Sequence, residues 1–374
     1  MPDTAIPLVD LKRQYSRIKN EIDDAVGKVI NSGIFIMGEN TKSFEKEFAD
    51  YIGVRYAVGV GSGTDALTLS LRALGIKRGD EVITVSFSFP PTADSIVHNG
   101  GIPVFVDIDP ETYTIDVKQV EKAITKNTKA VIPVHLYGHP ADMAPILKLA
   151  EKHGLHVIED CSQAHGAKYE YAKVGSLGHV GCFSFYPSKN LGAYGDGGII
   201  VTNHQEIAES IESLREYGQK EKSKHEFIGF NSRLDEIQAA VLRIKLKHLD
   251  VWNAERQINA KLYSEFLQPL SSLILPIEKP YATHVYHLFV IRCKERDALK
   301  IWLAKKGIST GIHYPIPIHM QKSYQTVFCQ CLDLTTTELF SREVLSLPLF
   351  PELTGNEIVY VFKSIDEFFS DRRS

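Results

Sequence analysis

Three short segments of this chain hold residues whose types and spacing could do chemistry. The first carries Lys189, with Phe183, Phe185 and Tyr186 before it and Gly192, Gly195, Gly197 and Gly198 after it. A loop lysine is ordinarily a solvated surface cation. Aromatic residues on one side and glycines on the other predict a tight, partly desolvated loop instead. Burial and nearby cations lower an ammonium pKa, and only the neutral amine attacks an aldehyde. The second segment sets Gly59, Gly61, Ser62, Gly63 and Thr64 between a β-rich run and a helical pattern. Small residues there let an anion approach the free N–H groups of a helix N-terminus. A capped strand-to-helix turn without any ligand fits the same residues. A dinucleotide fingerprint does not, because Thr64 or Ala66 stands where its third glycine belongs, and no Gly-Lys-Ser/Thr follows to make a P-loop. The third segment ends the run His156–Asp160 with an acidic pair, Glu159 and Asp160. A carboxylate at the C-terminal end of such a strand lies where open α/β sheets bind ligands, and it can hold a proton on a heterocyclic nitrogen. Simple capping of the next turn is the other reading of the pair.

The elements that must position these residues are legible from periodicity. Tyr56–Val60, Glu81–Val85, Val104–Val106, Ala130–Val134 and His156–Asp160 read as strands. Helical patterns fall at Thr64–Leu74, around Ile96 and Val97, and at Met143–His153 before a Gly154 stop. Strands alternating with helices predict βαβ units and a mostly parallel sheet. Arg233–Leu270 reads as one long kinked helix. Beyond it, His287–Arg292 reads as a strand, Arg296–Lys306 as a helix and Gly307–Tyr314 as extended chain. The expected division is a large domain over residues 1–250, N-terminal segment included, and a smaller α+β domain over 251–374.

Bulk properties exclude several classes. A chain of 374 residues with 44% apolar and 24% charged residues has globular composition. A net charge of −4 gives no basic stripe for nucleic acid, and no run approaches a membrane span. The N-terminus shows no signal-peptide core, and five scattered cysteines read as reduced thiols, so a cytoplasmic location is expected. Cys329 and Cys331, with His313 and His319, lack the two spaced ligand pairs of a closed zinc site, and no metal is expected.

Together the segments resemble the DegT/DnrJ/StrS sugar aminotransferases, a family of pyridoxal-phosphate enzymes. The resemblance runs from Pro7–Leu11 through Ser32–Gly38, Gly61–Leu67, Val104–Asp109, Glu159–Gly166, Ser188–Gly192 and Gly229–Ala240 to His313–His319. It implies the fold-type I α/β architecture, a large domain with a smaller C-terminal one, and a homodimer whose active sites form at the interface. It also implies the roles of single residues. Lys189 forms the Schiff base with pyridoxal 5'-phosphate and shuttles the proton; Asp160 pairs with the ring nitrogen; Gln163 reaches the phenolic oxygen; Phe89 stacks on the ring. Gly63, Thr64 and Ser184 hold the phosphate, with Asn231 contributed by the partner subunit.

Two features resemble the subset acting on 3-keto sugars: Tyr186 with Pro187, and the stretch His313–His319. The acceptor implied is a dTDP-linked 3-keto-6-deoxyhexose, with L-glutamate as donor and Tyr186, His313, Tyr314 and His319 as sugar contacts. Each of these four could instead simply order a loop. The alternatives are a 4-keto acceptor and a catalytically silent sensor or scaffold on the same fold. Relatives that act as sugar dehydratases carry histidine in place of the lysine, and Lys189 argues against that class.

Overall fold

The alternating β-rich runs and amphipathic helices assemble around one eight-stranded sheet. The computed structural model describes residues 5–221 and 223–370. Its strands are Tyr56–Val60 (β1), Glu81–Val85 (β2), Ile102–Val106 (β3), Thr128–Ile132 (β4), His156–Asp160 (β5), Val180–Ser184 (β6), Gly198–Thr202 (β7) and Gln330–Cys331 (β8), in the order β1-β7-β6-β5-β4-β2-β3-β8. Only β7 runs against its neighbours, β1 and β6; the other pairings are parallel. Helices cover the faces, so β2 and β7 are buried at every residue and read as continuous apolar runs. This direction of travel brings the C-terminal ends of β1, β5 and β6 and the start of β7 to one edge, where open α/β sheets place ligands.

Local signals set the element ends. The Gly63–Ala73 helix starts at Ser62, whose Oγ accepts from the Asp65 N–H at 3.0 Å. The Met143–His153 helix stops at Gly154 with φ 65°. The segment expected as one long helix is two, Glu236–Leu246 and Leu249–Leu267. The N–H groups of Lys247 and His248 donate three residues back, to Ile244 and Lys245, which tightens the last turn and ends the first helix. The break turns both pieces onto the Leu11–Ser32 helix, where Val241 and Trp252 pack against Ile18 and Ile22.

A separate apolar cluster forms in the C-terminal third. Tyr263, Phe289, Ile291, Leu303, Leu345 and Ile358 are buried there, and Ile6 joins them through a bridge to Ile308. Among the described residues no helix is long and apolar enough to cross a membrane.

Candidate active site

Lys189 follows β6, and its flanks fix it. Phe183 and Phe185 are fully buried, Phe48 packing edge-on against both and Phe44 against Phe185, which pins the strand end. The Lys189 N–H donates to the Tyr186 carbonyl at 2.9 Å and the Ala193 N–H to that of Phe185 at 2.8 Å. A Cβ on Gly192 would stand 2.3 Å from the Pro187 carbonyl oxygen, so this loop closes only with glycine there. The buried Lys245 braces it, its Nζ donating to the Gly192 carbonyl at 2.7 Å. The Lys189 Nζ itself has no hydrogen bond or ion pair among the described residues. Burial brings its pKa down to about 8, against a smaller upward pull from the charge of Asp160. The amine is therefore available as a nucleophile near neutral pH.

The acidic pair at the end of β5 divides between its two expected uses, because successive side chains on a strand face opposite ways. Glu159 caps a turn: its Oε1 accepts from the N–H groups of Leu177 and Gly178 at 2.8 and 2.7 Å, and its Oε2 from Gly175 at 2.8 Å. The same Oε2 accepts from His135 Nε2 at 3.0 Å, while His135 Nδ1 accepts from the Ala141 N–H at 3.0 Å. Glu159, His135 and Cys161 are the one cluster of possible metal donors among the described residues. With both carboxylate oxygens and both ring nitrogens engaged, the cluster is a closed hydrogen-bond network. Asp160 faces a cavity instead. Its Oδ2 accepts from Thr92 Oγ1 at 2.8 Å and its Oδ1 from the Ser162 N–H at 3.2 Å, and Ser88 Oγ lies 2.9 Å from the Thr92 hydroxyl.

Across the cavity lies an anion cradle. The N–H groups of Gly63 and Thr64, in the first helical turn, have no partner among the described residues. A Cβ on Gly63 would stand 2.6 Å from Ser184 Cβ, and one on Gly198 would stand 2.3 Å from the Ser62 carbonyl oxygen. Two glycines thus let helix, β6 and β7 converge. Behind them the loop is held by Ser232 Oγ, which accepts from the Gly61 N–H at 3.0 Å and donates to Asp65 at 2.7 Å, and by Arg215, which donates to the Gly59 carbonyl at 2.7 Å.

The cavity enclosed measures about 460 Å³. Ten of the twelve residues expected at the site line it: Gly63, Thr64, Phe89, Asp160, Gln163, Ser184, Tyr186, Lys189, His313 and Tyr314. Gln163 accepts from the Tyr137 N–H at 2.8 Å and donates to the Tyr314 hydroxyl at 2.9 Å, and the Phe89 and Tyr314 rings lie 5.8 Å apart. His313 Nδ1 meets Ser346 Oγ at 2.8 Å, and burial, then the charge of Lys189, lowers its pKa to about 4. Two residues do not reach the cavity. Asn231 is exposed and bridged to Glu216. His319 is held by Ser86, 2.7 Å from its Nδ1, and by Glu338, 3.4 Å from its Nε2. Sequence reasoning missed Ser88, Thr92, Asp196 and His287, which also line the wall. Ser88 and Thr92 had a usable signal, since they follow the C-terminal end of β2 at the binding edge.

The donor set fits pyridoxal 5'-phosphate. A phosphate ester would meet two free N–H groups, the helix N-terminus and the hydroxyls of Thr64 and Ser184; an aldehyde would meet an unpaired amine, and a ring nitrogen a carboxylate. Fold and site together define an α/β enzyme that works through an aldehyde cofactor. Residues 16–366 match the DegT/DnrJ/EryC1/StrS aminotransferase family, and the chain belongs to that family. It is 45% identical to a dTDP-3-amino-3,4,6-trideoxy-alpha-D-glucose transaminase of Streptomyces venezuelae, over 97% of this chain and 96% of the relative. Among solved structures it resembles S. venezuelae DesV, crystallised with a ketimine intermediate, with a TM-score of 0.95 at 45% identity over 98% of each chain. It also resembles NtdA of Bacillus subtilis with bound cofactor PMP, with a TM-score of 0.91 at 34% identity over 98% of this chain and 86% of the other.

Proposed function

We propose that this aminotransferase moves an amino group from L-glutamate to a nucleotide-linked keto-sugar, a dTDP-3-keto-6-deoxyhexose, with pyridoxal 5'-phosphate as cofactor. The observation that carries the reading is the pairing, in one cavity, of an unpaired, burial-activated Lys189 with Asp160 and the anion cradle. When bound, the cofactor supplies an aldehyde for covalent attachment and a cationic ring that takes up electrons. Lys189 is its anchor. Asp160, oriented by Thr92 and Ser162, would hold the proton on the ring nitrogen. Gly63, Thr64 and Ser184 hold the phosphate, Phe89 covers the ring and Gln163 reaches its phenolic oxygen. Once free, the neutral Nζ of Lys189 would carry the α-proton of the amino donor to the cofactor's aldehyde carbon, and in the second half would carry a proton the other way, onto the sugar carbon that receives the amine. Tyr186, His313 and Tyr314 are the proposed sugar contacts, and His319 orders the loop that carries two of them.

The proposal extends to a cytoplasmic homodimer in which Asn231 reaches the phosphate of the partner subunit, compatible with its exposure outside its own cavity. It also keeps two folding units, residues 1–250 and 251–374. The test of substrate is amino transfer from glutamate to paired 3-keto and 4-keto dTDP-sugars. Turnover of the 3-keto sugar is expected, and turnover of the 4-keto sugar alone overturns this reading.

A further inference from the structure

Lys245 is a cation shut off from solvent, 0% exposed on the Glu236–Leu246 helix. Burying an ammonium is costly, and here burial brings its pKa down to about 7 against a smaller upward pull from the charge of Glu352. What it holds is the loop that carries Lys189. Its Nζ donates to the Gly192 carbonyl at 2.7 Å and stands 4.1 Å from the centre of the Tyr194 ring. About two turns earlier on the same face of the helix, Gln238 Oε1 accepts from the Tyr194 N–H at 2.9 Å. The helix thus grips residues 192–194 at both ends, and Gly192 is the residue whose close approach to the Pro187 carbonyl closes the turn around Lys189. The helix is itself fixed. Glu236 accepts from the N–H groups of Asn40 and Thr41 at 3.0 and 2.7 Å, and Val241 and Leu242 are buried. Just ahead of it, Ser232 accepts from the Gly61 N–H behind the anion cradle at 3.0 Å. One segment, residues 232–246, therefore sets where the cradle stands relative to the lysine. The charge that bears on Lys245 is that of Glu352, and the charge that bears on Lys189 is that of Asp160. The two lysines are joined through the loop and not through a field.

We propose that Lys245 is a positioning residue for Lys189: by holding the Gly192 carbonyl, with Gln238 holding Tyr194, it keeps closed the loop that carries the anchoring amine, and so keeps that amine desolvated and in one place. This rests on Lys189 as the covalent anchor and proton carrier. An amine held in one place transfers a proton faster than one on a moving loop, so the effect falls on proton transfer and on capture of the cofactor rather than on substrate binding.

Two substitutions of equal length separate the bond from the bulk. Lys245→Met removes the donor, and Lys245→Gln returns an N–H toward the Gly192 carbonyl. In apoprotein, a loosened loop lets water reach Lys189. The pH midpoint for capture of pyridoxal phosphate should therefore rise in Lys245→Met by about one unit, from near 8 toward the ordinary lysine value. In the loaded enzyme Lys245→Met should lower kcat by about tenfold with KM little changed. Lys245→Gln should bring both values back toward wild type. The thermal midpoint should stay near wild type in both, since a neutral side chain in place of a buried ammonium relieves its desolvation.

A wild-type capture midpoint and kcat in Lys245→Met overturn the inference, as do equal losses in Lys245→Met and Lys245→Gln. A lowered thermal midpoint with an unmoved capture midpoint overturns it too, because the lysine then supports the fold alone. If Lys245→Met does not fold, Gln238→Leu decides: a raised capture midpoint supports the grip on the loop, and a wild-type one refutes it. Failure of the anchor itself would show separately, as capture by Lys189→Ala equal to that of wild type.

Discussion

Gly63→Ala tests the anion cradle with the least chemical change. The added Cβ would stand 2.6 Å from Ser184 Cβ and 3.1 Å from its Cα and Oγ. Carbon atoms in contact lie about 3.5–4.0 Å apart, so helix and strand must separate by about 1 Å. Ser184 cannot easily move, because it pairs with Gly198 inside the sheet. The helix end moves instead and takes the Gly63 and Thr64 N–H groups with it. A shift of about 1 Å carries a hydrogen bond of about 2.9 Å out of its working range. Each bond lost to a charged group costs about 1.5–3 kcal/mol, and about 1.4 kcal/mol corresponds to tenfold in Kd. With both bonds lost, pyridoxal phosphate should bind Gly63→Ala apoprotein about 100–10,000-fold more weakly in an equilibrium titration of its absorbance. Ser184→Gly removes the obstructing atoms together with one hydroxyl and should weaken binding by about tenfold. In the double variant the clash is absent, so its loss should be smaller than the product of the single losses. Wild-type affinity in Gly63→Ala, or strictly multiplicative losses, would refute the close-approach argument.

Four further outcomes follow from the geometry. Capture of pyridoxal phosphate by apoprotein, followed by stopped-flow absorbance, should rise with pH about a midpoint near 8, where the Lys189 amine loses its proton; a midpoint at the ordinary lysine value of about 10.4 contradicts the burial argument. Because this pKa is lowered in the folded state, the unfolded chain binds more protons between the two values. The contribution of Lys189 to apoprotein stability should therefore rise with pH across that window, as denaturant titrations of wild type and Lys189→Met would show. Thr92→Val removes the 2.8 Å donor to Asp160 Oδ2 and should lower kcat by about tenfold in steady-state assays. Glu159→Gln places an amide N–H₂ where backbone N–H groups now donate, and should cost about 2–5 kcal/mol of unfolding free energy by chemical denaturation without moving KM.

The parts of the site legible in the sequence are those carried by local pattern. Lys189 could be read as constrained because Phe183, Phe185 and Gly192 act on it within a few residues. The five strand runs were legible for the same reason, since a buried parallel strand writes itself as a short apolar run. Glu159 and Asp160 show the limit. Both uses of the pair were foreseeable, but their division depends on the pleat and on Gly175–Gly178, which lie at a distance along the chain. His287 was missed because its meaning comes from a partner on another element, Asn190, and Thr92, though it follows a strand end at the binding edge, shows its use only through its bond to Asp160. The break at Lys247 escaped periodicity as well, since apolar spacing continues across it and only packing on the first helix separates the two pieces.

The central claim is that Lys189 holds the cofactor covalently, and borohydride trapping tests it most directly. Reduction of the pyridoxal-phosphate-loaded protein, followed by proteolysis and mass spectrometry, should find the pyridoxyl group on the peptide containing Lys189 and nowhere else. Its appearance on another lysine, or on none, would contradict the account.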